Sequence, residues 1–245
     1  MLRHVFFDLY GTLVRIATDE SAPETTEAFE RWVAQRFGPK VTARERAHPF
    51  LADLRALRVS RKPHSEPDLE PVVRAHLEAL TLREVSPLEV LEPAEAFRTA
   101  SRRELSLVPG ALEARAALRP RFGVGLVSNA QVLFTRPELS QVGLPLSGFT
   151  PAVISSEVGV RKPSPRIFQV ALERANVPAA EALFVGNDPW DDVEGAAGAG
   201  LHTCLVDDPS LGKEVRLPPE LRLRSVADLP SALFGENAPP WVRGR

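Results

Sequence analysis

The sequence predicts an α/β fold: a parallel sheet with helices on both faces, interrupted near its start by a small all-α unit. Three observations carry that prediction. Apolar runs of strand length recur at residues 4–7, 122–127, 152–154, 182–185 and 201–206. From about residue 107 onward such runs alternate with stretches of helical spacing, the pattern of a sheet built from crossover units. Between residues 15 and 105 the strand signals stop and helical patterning continues without a break.

The first run, His4-Val5-Phe6-Phe7, ends in Asp8 and a Gly11-Thr12 turn. Asp8 is therefore carried out of a buried strand and presented at its carboxyl end, where open α/β sheets bind ligands. After Val14 the helical pattern begins. Thr25 and Thr26 are candidate caps for a helix whose Phe29, Trp32, Val33 and Phe37 share a face. Thr42 with Glu45, and Ser86 with Glu89, read as capping boxes, the second with Pro87 at the first helical position. Leu69, Val72, Val73, His76, Leu77 and Leu80 form another apolar stripe after Pro67. Arg55, Arg58, Arg61 and Lys62 read either as a solvated face or as cations leaning over the site to select an anionic substrate. The whole is a bundle of four or so helices, residues 15–105, set between residues 1–14 and 106–245 of the α/β unit.

Past Pro109-Gly110, residues 111–118 form a helix stopped by Pro120, and the strand over 122–127 delivers Ser128 and Asn129. That pair either caps the next helix or holds phosphate. Pro163 and Pro165 open a helix over 166–175, which puts Lys162 just before a helix N-terminus. The strand over 182–185 leads into Gly186-Asn187-Asp188-Pro189-Trp190-Asp191-Asp192. Acids in a first helical turn are favoured by the dipole, but three within five residues at a strand's carboxyl end are better explained by a cation. Residues 235–245, with Pro239-Pro240, read as a loosely held tail that Trp241 docks.

Composition narrows the function. At 245 residues with 44% hydrophobic content, the chain has ample material for a core. A net charge of −2 gives no electrostatic basis for nucleic-acid binding. No apolar run approaches the roughly 20 residues of a membrane span, and the apolar N-terminal segment ends at Asp8, too early for a signal peptide. The single cysteine, Cys204, lies in an apolar run and reads as core, so the expected location is the reducing cytoplasm. The five histidines are scattered, without zinc spacing.

In order and spacing, Asp8 with Thr12, Ser128 with Asn129, Lys162, and the acidic run 188–192 resemble the four motifs of the haloacid dehalogenase-like (HAD) hydrolase superfamily. The helical insertion resembles the cap domain of many of its members. The resemblance covers the chain from Asp8 to Gly200 and implies a Rossmann-like core. By that resemblance Asp8 attacks phosphorus and forms an aspartyl-phosphate that water hydrolyses. A carboxylate is a poor nucleophile towards a dianion unless charge is neutralised, the role implied for Lys162 and Mg²⁺. Thr12, Ser128 and neighbouring backbone N–H groups would hold phosphate oxygens, with Gly11, Asn129 and Tyr10 on the substrate side. Mg²⁺, which takes oxygen ligands and keeps several waters, would be held by the Asp8 carboxylate, the Tyr10 carbonyl, and Asp188 or Asp192.

Two positions depart from the phosphatase pattern. The second Asp, which protonates the leaving group and activates water, is replaced by Tyr10, whose ordinary pKa of about 10 against roughly 3.9 for Asp rules out the same role at neutral pH. Asn187 stands where an acid usually follows Gly186, and Asp188 is displaced by one. Tyr at the first of these positions also occurs in the superfamily's 2-haloacid dehalogenases, which use no metal and expel halide without a proton. Those enzymes carry Ser-Asn in place of an acid-rich fourth motif, and their cap arginine has no counterpart here beyond Arg15. The expectation is thus a Mg²⁺-dependent phosphatase for a small phosphorylated metabolite, a monomer or homodimer with no nucleic-acid or membrane partner. A dehalogenase and a weakly catalytic phospho-ligand binding or scaffold module are the alternatives. Were another residue to supply the proton, His64 or Glu66 is the candidate.

Overall fold

The computed structural model describes residues 1–41, 64–207 and 214–243. Strand β1 (His4–Phe7) is buried along its whole length. Its side chains alternate as the pleat requires, Val5 and Phe7 into one apolar layer with Leu118 and Leu229, Phe6 into another with Phe168 and Phe184. Both faces of the sheet are therefore covered.

The chain does not turn helical directly after Val14. Strand β2 (Val14–Thr18) comes first, and it pairs antiparallel with a strand at the far end of the helical segment. Val14, Ile16 and Thr18 are β-branched residues at alternate positions, which suits a half-exposed ribbon. Helix α1 (Pro23–Phe37) begins two residues before the expected caps, because Pro23 fits the first helical position. Thr25 lies buried within the first turn, its hydroxyl donating to the Asp19 carbonyl at 2.7 Å. Helix α2 (Glu70–Thr81) buries Val73, Leu77 and Leu80 of the expected stripe. Helix α3 (Pro87–Ser101) carries the complete capping box, with Ser86 N–H donating to Glu89 at 2.9 Å and Glu89 N–H to Ser86 Oγ at 3.3 Å. The three helices share an apolar cluster around Phe29, Val33, Val73, Val90 and Phe97. The capping box at Thr42 and the cations Arg55, Arg58, Arg61 and Lys62 lie outside the described residues.

Strand β3 (Arg102–Leu107) completes the ribbon with β2. There follow α4 (Ala111–Leu118), β4 (Gly123–Ser128), α5 (Val132–Gln141), β5 (Ala152–Ile154), the short α6 (Ser155–Val158), α7 (Pro165–Ala175) and β6 (Ala182–Gly186). A π-helical turn, Pro189–Glu194, runs into α8 (Gly195–Gly198) and then β7 (His202–Val206). Strand β8 (Leu221–Leu223), α9 (Leu229–Phe234) and α10 (Pro240–Arg243) finish the described chain. The six-stranded sheet has the order β5-β4-β1-β6-β7-β8, with every pairing parallel. Strand β1 lies between the two halves, so its carboxyl end opens onto the crevice where the order reverses.

The C-terminal segment is docked rather than loose. Trp241 stacks on His202 with ring centroids 4.1 Å apart, and the carbonyl of buried Val242 accepts from Leu2 N–H at 3.3 Å. An aromatic ring and a buried valine hold a segment that its prolines alone would leave free. Cys204 is a core residue, and burial pushes its thiol up to about 12.

Candidate active site

Asp8 extends β1 by one residue, its N–H donating to the Val185 carbonyl of β6 at 2.9 Å. Beyond it the chain folds sharply: the Leu9 carbonyl accepts from the N–H groups of Thr12, Leu13 and Val14. Gly11 makes that turn possible at φ 94°, and a Cβ there would collide with the Asn187 side chain. The turn brings Thr12 back so that its hydroxyl reaches Asp8 Oδ2 at 3.0 Å and Asn187 Oδ1 at 3.3 Å.

Lys162 comes from the loop ahead of α7. Its ammonium lies 2.6 Å from Asp8 Oδ1 and 2.6 Å from Asp192 Oδ1, and the residue is only 2% exposed. Burial alone would discharge the amine. The charges of Asp192 and Asp8 outweigh that and hold the ammonium above its usual range. Asp192 is pushed up by its own burial and by Asp8, with Lys162 opposing. It can lie so close to the strand because residue 186 is glycine; a Cβ on Gly186 would occupy the space of the carboxylate. Its Oδ2 accepts from Asp188 N–H at 2.9 Å. Asp188 Oδ1 in turn caps the π-helical turn, accepting from Trp190 and Asp191 N–H, both at 2.8 Å.

Ser128 and Asn129 leave β4 at the same edge of the sheet. Neither caps α5, whose cap residue is Gln131. Asn129 grips the Lys162 loop instead, accepting from Lys162 N–H at 2.7 Å and donating to its carbonyl at 3.1 Å and to Asp191 at 3.0 Å. Ser128 Oγ is fully buried and has no hydrogen-bond partner among the described residues. Such a group is costly to leave unmet, which marks it as a place for a ligand oxygen.

A cavity of about 380 Å³ opens beside this cluster, with Tyr10, Glu66, Arg98, Asn129, Gln131 and Arg161 in its lining. On one side the segment 64–66 lies against the Lys162 loop: Glu66 N–H donates to the Gly159 carbonyl at 3.0 Å and Arg161 N–H to the His64 carbonyl at 2.9 Å. Gln131 fastens the same segment to α5, donating to Glu66 at 2.7 Å and accepting from Leu69 N–H at 3.0 Å. On the other side the Tyr10 hydroxyl donates to Glu138 and meets Thr135 Oγ1 at 3.3 Å. Burial and the Glu138 charge raise the phenol above its ordinary range, so Tyr10 is neutral and its proton committed.

Eight of the nine residues singled out in the sequence thus occur at the carboxyl ends of β1, β4 and β6 or in the loops and turns directly after them, and Lys162 reaches them from the loop ahead of α7. Of the two candidate proton donors, Glu66 lines the cavity and His64 does not. Sequence reasoning missed Arg98, Gln131 and Glu138. The one signal for Glu138 is its helical spacing from Gln131, Phe134 and Thr135, which sets all four on one face of α5.

Among the described residues no group of three or more His, Cys, Asp or Glu side chains is gathered into a metal cage. Mg²⁺ needs less, since it is bound through one or two carboxylates and keeps its waters. Asp8 and Asp192 converge on one cationic centre, and the donors near them are hard oxygens. That donor set fits the ion.

A family model described as haloacid dehalogenase-like hydrolase matches residues 2–200. Phosphoserine phosphatase of Thermus thermophilus is 35% identical over 164 residues, 66% of this chain and 64% of that protein, so the chain spans less than two thirds of this curated relative. The structure of 2-haloacid dehalogenase from Pseudomonas syringae superposes with a TM-score of 0.59 at 24% identity, covering 96% of this chain and 99% of the other. A HAD phosphatase from Thermococcus onnurineus gives a TM-score of 0.58 at 22% identity over 96% of this chain and 98% of its own. At these identities the two structures speak to the fold alone.

Proposed function

The chain belongs to the haloacid dehalogenase-like hydrolase family, and from that premise we propose that it is a Mg²⁺-dependent phosphatase for a small phosphorylated metabolite, with Asp8 as nucleophile. The observation that carries the reading is Asp192, buried beside Lys162 and converging with Asp8 on one point. Asp192 pairs with the Lys162 ammonium and accepts from Asp188 N–H, and a further anion beside the nucleophile is what a divalent cation held with a phosphate dianion calls for. In this reading an Asp8 oxygen attacks phosphorus, and the bond to the ester oxygen breaks with its electron pair going to that oxygen. Water then attacks the aspartyl-phosphate and releases phosphate. Lys162 offsets the charge of nucleophile and phosphoryl group, and Thr12 and the unmet Ser128 hydroxyl receive phosphoryl oxygens. Gly11 makes the turn that returns Thr12 to Asp8, and Asn129 keeps the Lys162 loop in place. Asp8, the Tyr10 carbonyl, and Asp188 or Asp192 would hold Mg²⁺, which when bound neutralises charge on the phosphoryl group.

Residues 15–105 act as the cap in this reading and residues 1–14 and 106–245 as the core. In this reading the enzyme is cytoplasmic, a monomer or homodimer, and acts on a small molecule; no helix among the described residues is long and apolar enough to cross a membrane. The phosphoserine phosphatase relative adds weight to a phosphate ester as substrate. One observation favours a second reading, a 2-haloacid dehalogenase: the Tyr10 proton is committed to Glu138, and halide departs without one. A panel of phosphate esters, assayed with and without Mg²⁺, tests the proposal. Phosphate release that a chelator abolishes is expected; halide release from 2-chloropropionate in the presence of chelator would replace the phosphatase with the dehalogenase.

A further inference from the structure

Glu138 lies in α5 with its side chain only 1% exposed, a charge that burial penalises unless it is fully met. It is met from two directions. Arg98 Nε donates to Oε1 at 2.7 Å, with Arg102 4.0 Å from the same oxygen, and the Tyr10 hydroxyl donates to Oε2. Arg98 is steadied further by Glu20 at 3.0 Å and by the Phe134 ring, 4.9 Å from its guanidinium. Tyr10 and Arg98 both line the cavity, whereas Glu138 does not. One of these wall residues stands two positions after Asp8. The other belongs to α3 of the helical segment, and Glu138 holds both.

We propose that Glu138 is a positioning residue: it seats Arg98 of the helical segment and Tyr10 of the Asp8 loop against each other, and so sets the wall that a substrate's leaving group meets. The identity of the leaving group rests on the phosphatase reading; the seating rests on the geometry. Because the phenol's hydrogen points to a carboxylate outside the lining, this wall offers the leaving oxygen contact and no proton. A bulky leaving group touches the wall, whereas a small one bound through its phosphate does not.

Tyr10 is the only tyrosine in the chain, so the tyrosine doublet of the Raman spectrum, which responds to the hydrogen bond a phenol makes, reports this one residue. In Glu138→Gln the phenol loses its charged acceptor, and the doublet should move towards that of a weaker donor. In the same variant KM for glycerol phosphate should rise about tenfold, while kcat and KM for acetyl phosphate stay within about twofold of wild type. A merely structural role would lower both substrates alike and leave the doublet where it was, and that result overturns the proposal. Should Glu138→Gln fold poorly, Glu138→Asp keeps the charge but draws it back by one methylene and should give the same KM split; equal effects on both substrates there count against the seating. If wild type hydrolyses neither ester, the phosphatase reading fails by itself. The doublet then decides: a shift in Glu138→Gln upholds the seating, and an unchanged doublet overturns it.

Discussion

At the scale of single residues, the charge balance around Asp8 makes its substitution informative. Asp8→Asn keeps the shape and the Thr12 contact, and Lys162 retains Asp192 as its ion partner. Turnover should therefore fall by at least about 10³-fold, as loss of a nucleophile does, while cooperative melting survives; a variant that keeps most of its activity would remove Asp8 from the mechanism. Tyr10 gives the second test at this scale. Tyr10→Asp installs the general acid that the family's phosphatases carry, an effect typically worth about 10² to 10⁴-fold for poor leaving groups. The structure adds a cost that the sequence did not disclose, because the new carboxylate would stand near buried Glu138, which would also lose its phenol donor. The expectation is faster hydrolysis of alkyl phosphates over aryl phosphates together with a lower melting temperature, and recovery of that temperature when Glu138→Gln is added. Equal gains on both ester classes, measured by kcat, would show that protonation of the leaving group is not what Tyr10 withholds.

At the scale of elements, helix α3 connects a local signal to the distant wall, since its capping box at Ser86 starts the helix that carries Arg98. Ser86→Ala should cost about 1 kcal/mol, a drop of about 3 °C in Tm for a chain of this size, read by thermal melting. A change within error would mean that packing of Val90, Ala94 and Phe97 sets the start of α3 unaided. Elements of this kind were legible. Strands β1, β4, β5, β6 and β7 are continuous apolar runs, and Pro163-Ser164-Pro165 announces α7, because burial on both faces and fixed proline geometry are written locally. The β2/β3 ribbon was not legible: its partners are Val14 and Leu107, Ile16 and Leu105, joined across the whole helical segment and half exposed, so neither strand shows a buried run. Strand β8 is three residues at the sheet edge and gives still less. The same logic divides the site. Asp8, Ser128, Lys162 and Asp192 sit at strand ends or beside helix starts, where sequence marks position, while Glu138 reads as a surface acid until Arg98 and Tyr10 are brought to it from elsewhere in the chain.

At the scale of the whole molecule, two buried groups far from the proposed chemistry contribute to the pH dependence of stability. His4 packs at 4.3 Å against Phe6, its Nε2 is buried with no hydrogen-bond partner among the described residues, and burial lowers its pKa from 6.5 to about 4. Between those values the unfolded chain binds a proton that the folded chain refuses, so stability is full above about pH 6.5 and is lost as pH falls towards 4. Cys204 works at the other end. Its thiol is raised from 9.0 to about 12 by burial, so the folded chain keeps a proton that the unfolded chain gives up, and stability drops as pH rises through that interval. A tenfold difference in proton affinity between folded and unfolded chain is worth about 1.4 kcal/mol, so the His4 limb amounts to roughly 3 kcal/mol and the Cys204 limb to roughly 4 kcal/mol, each a large part of the roughly 5–15 kcal/mol typical of a folded domain. Denaturant unfolding followed from pH 4 to pH 11 should accordingly show a plateau between about pH 6.5 and 9. His4→Gln, which cannot charge, should lower the plateau slightly and flatten the acid limb alone, and Cys204→Ala should flatten the alkaline limb alone. An acid limb unchanged in His4→Gln would remove His4 as its source.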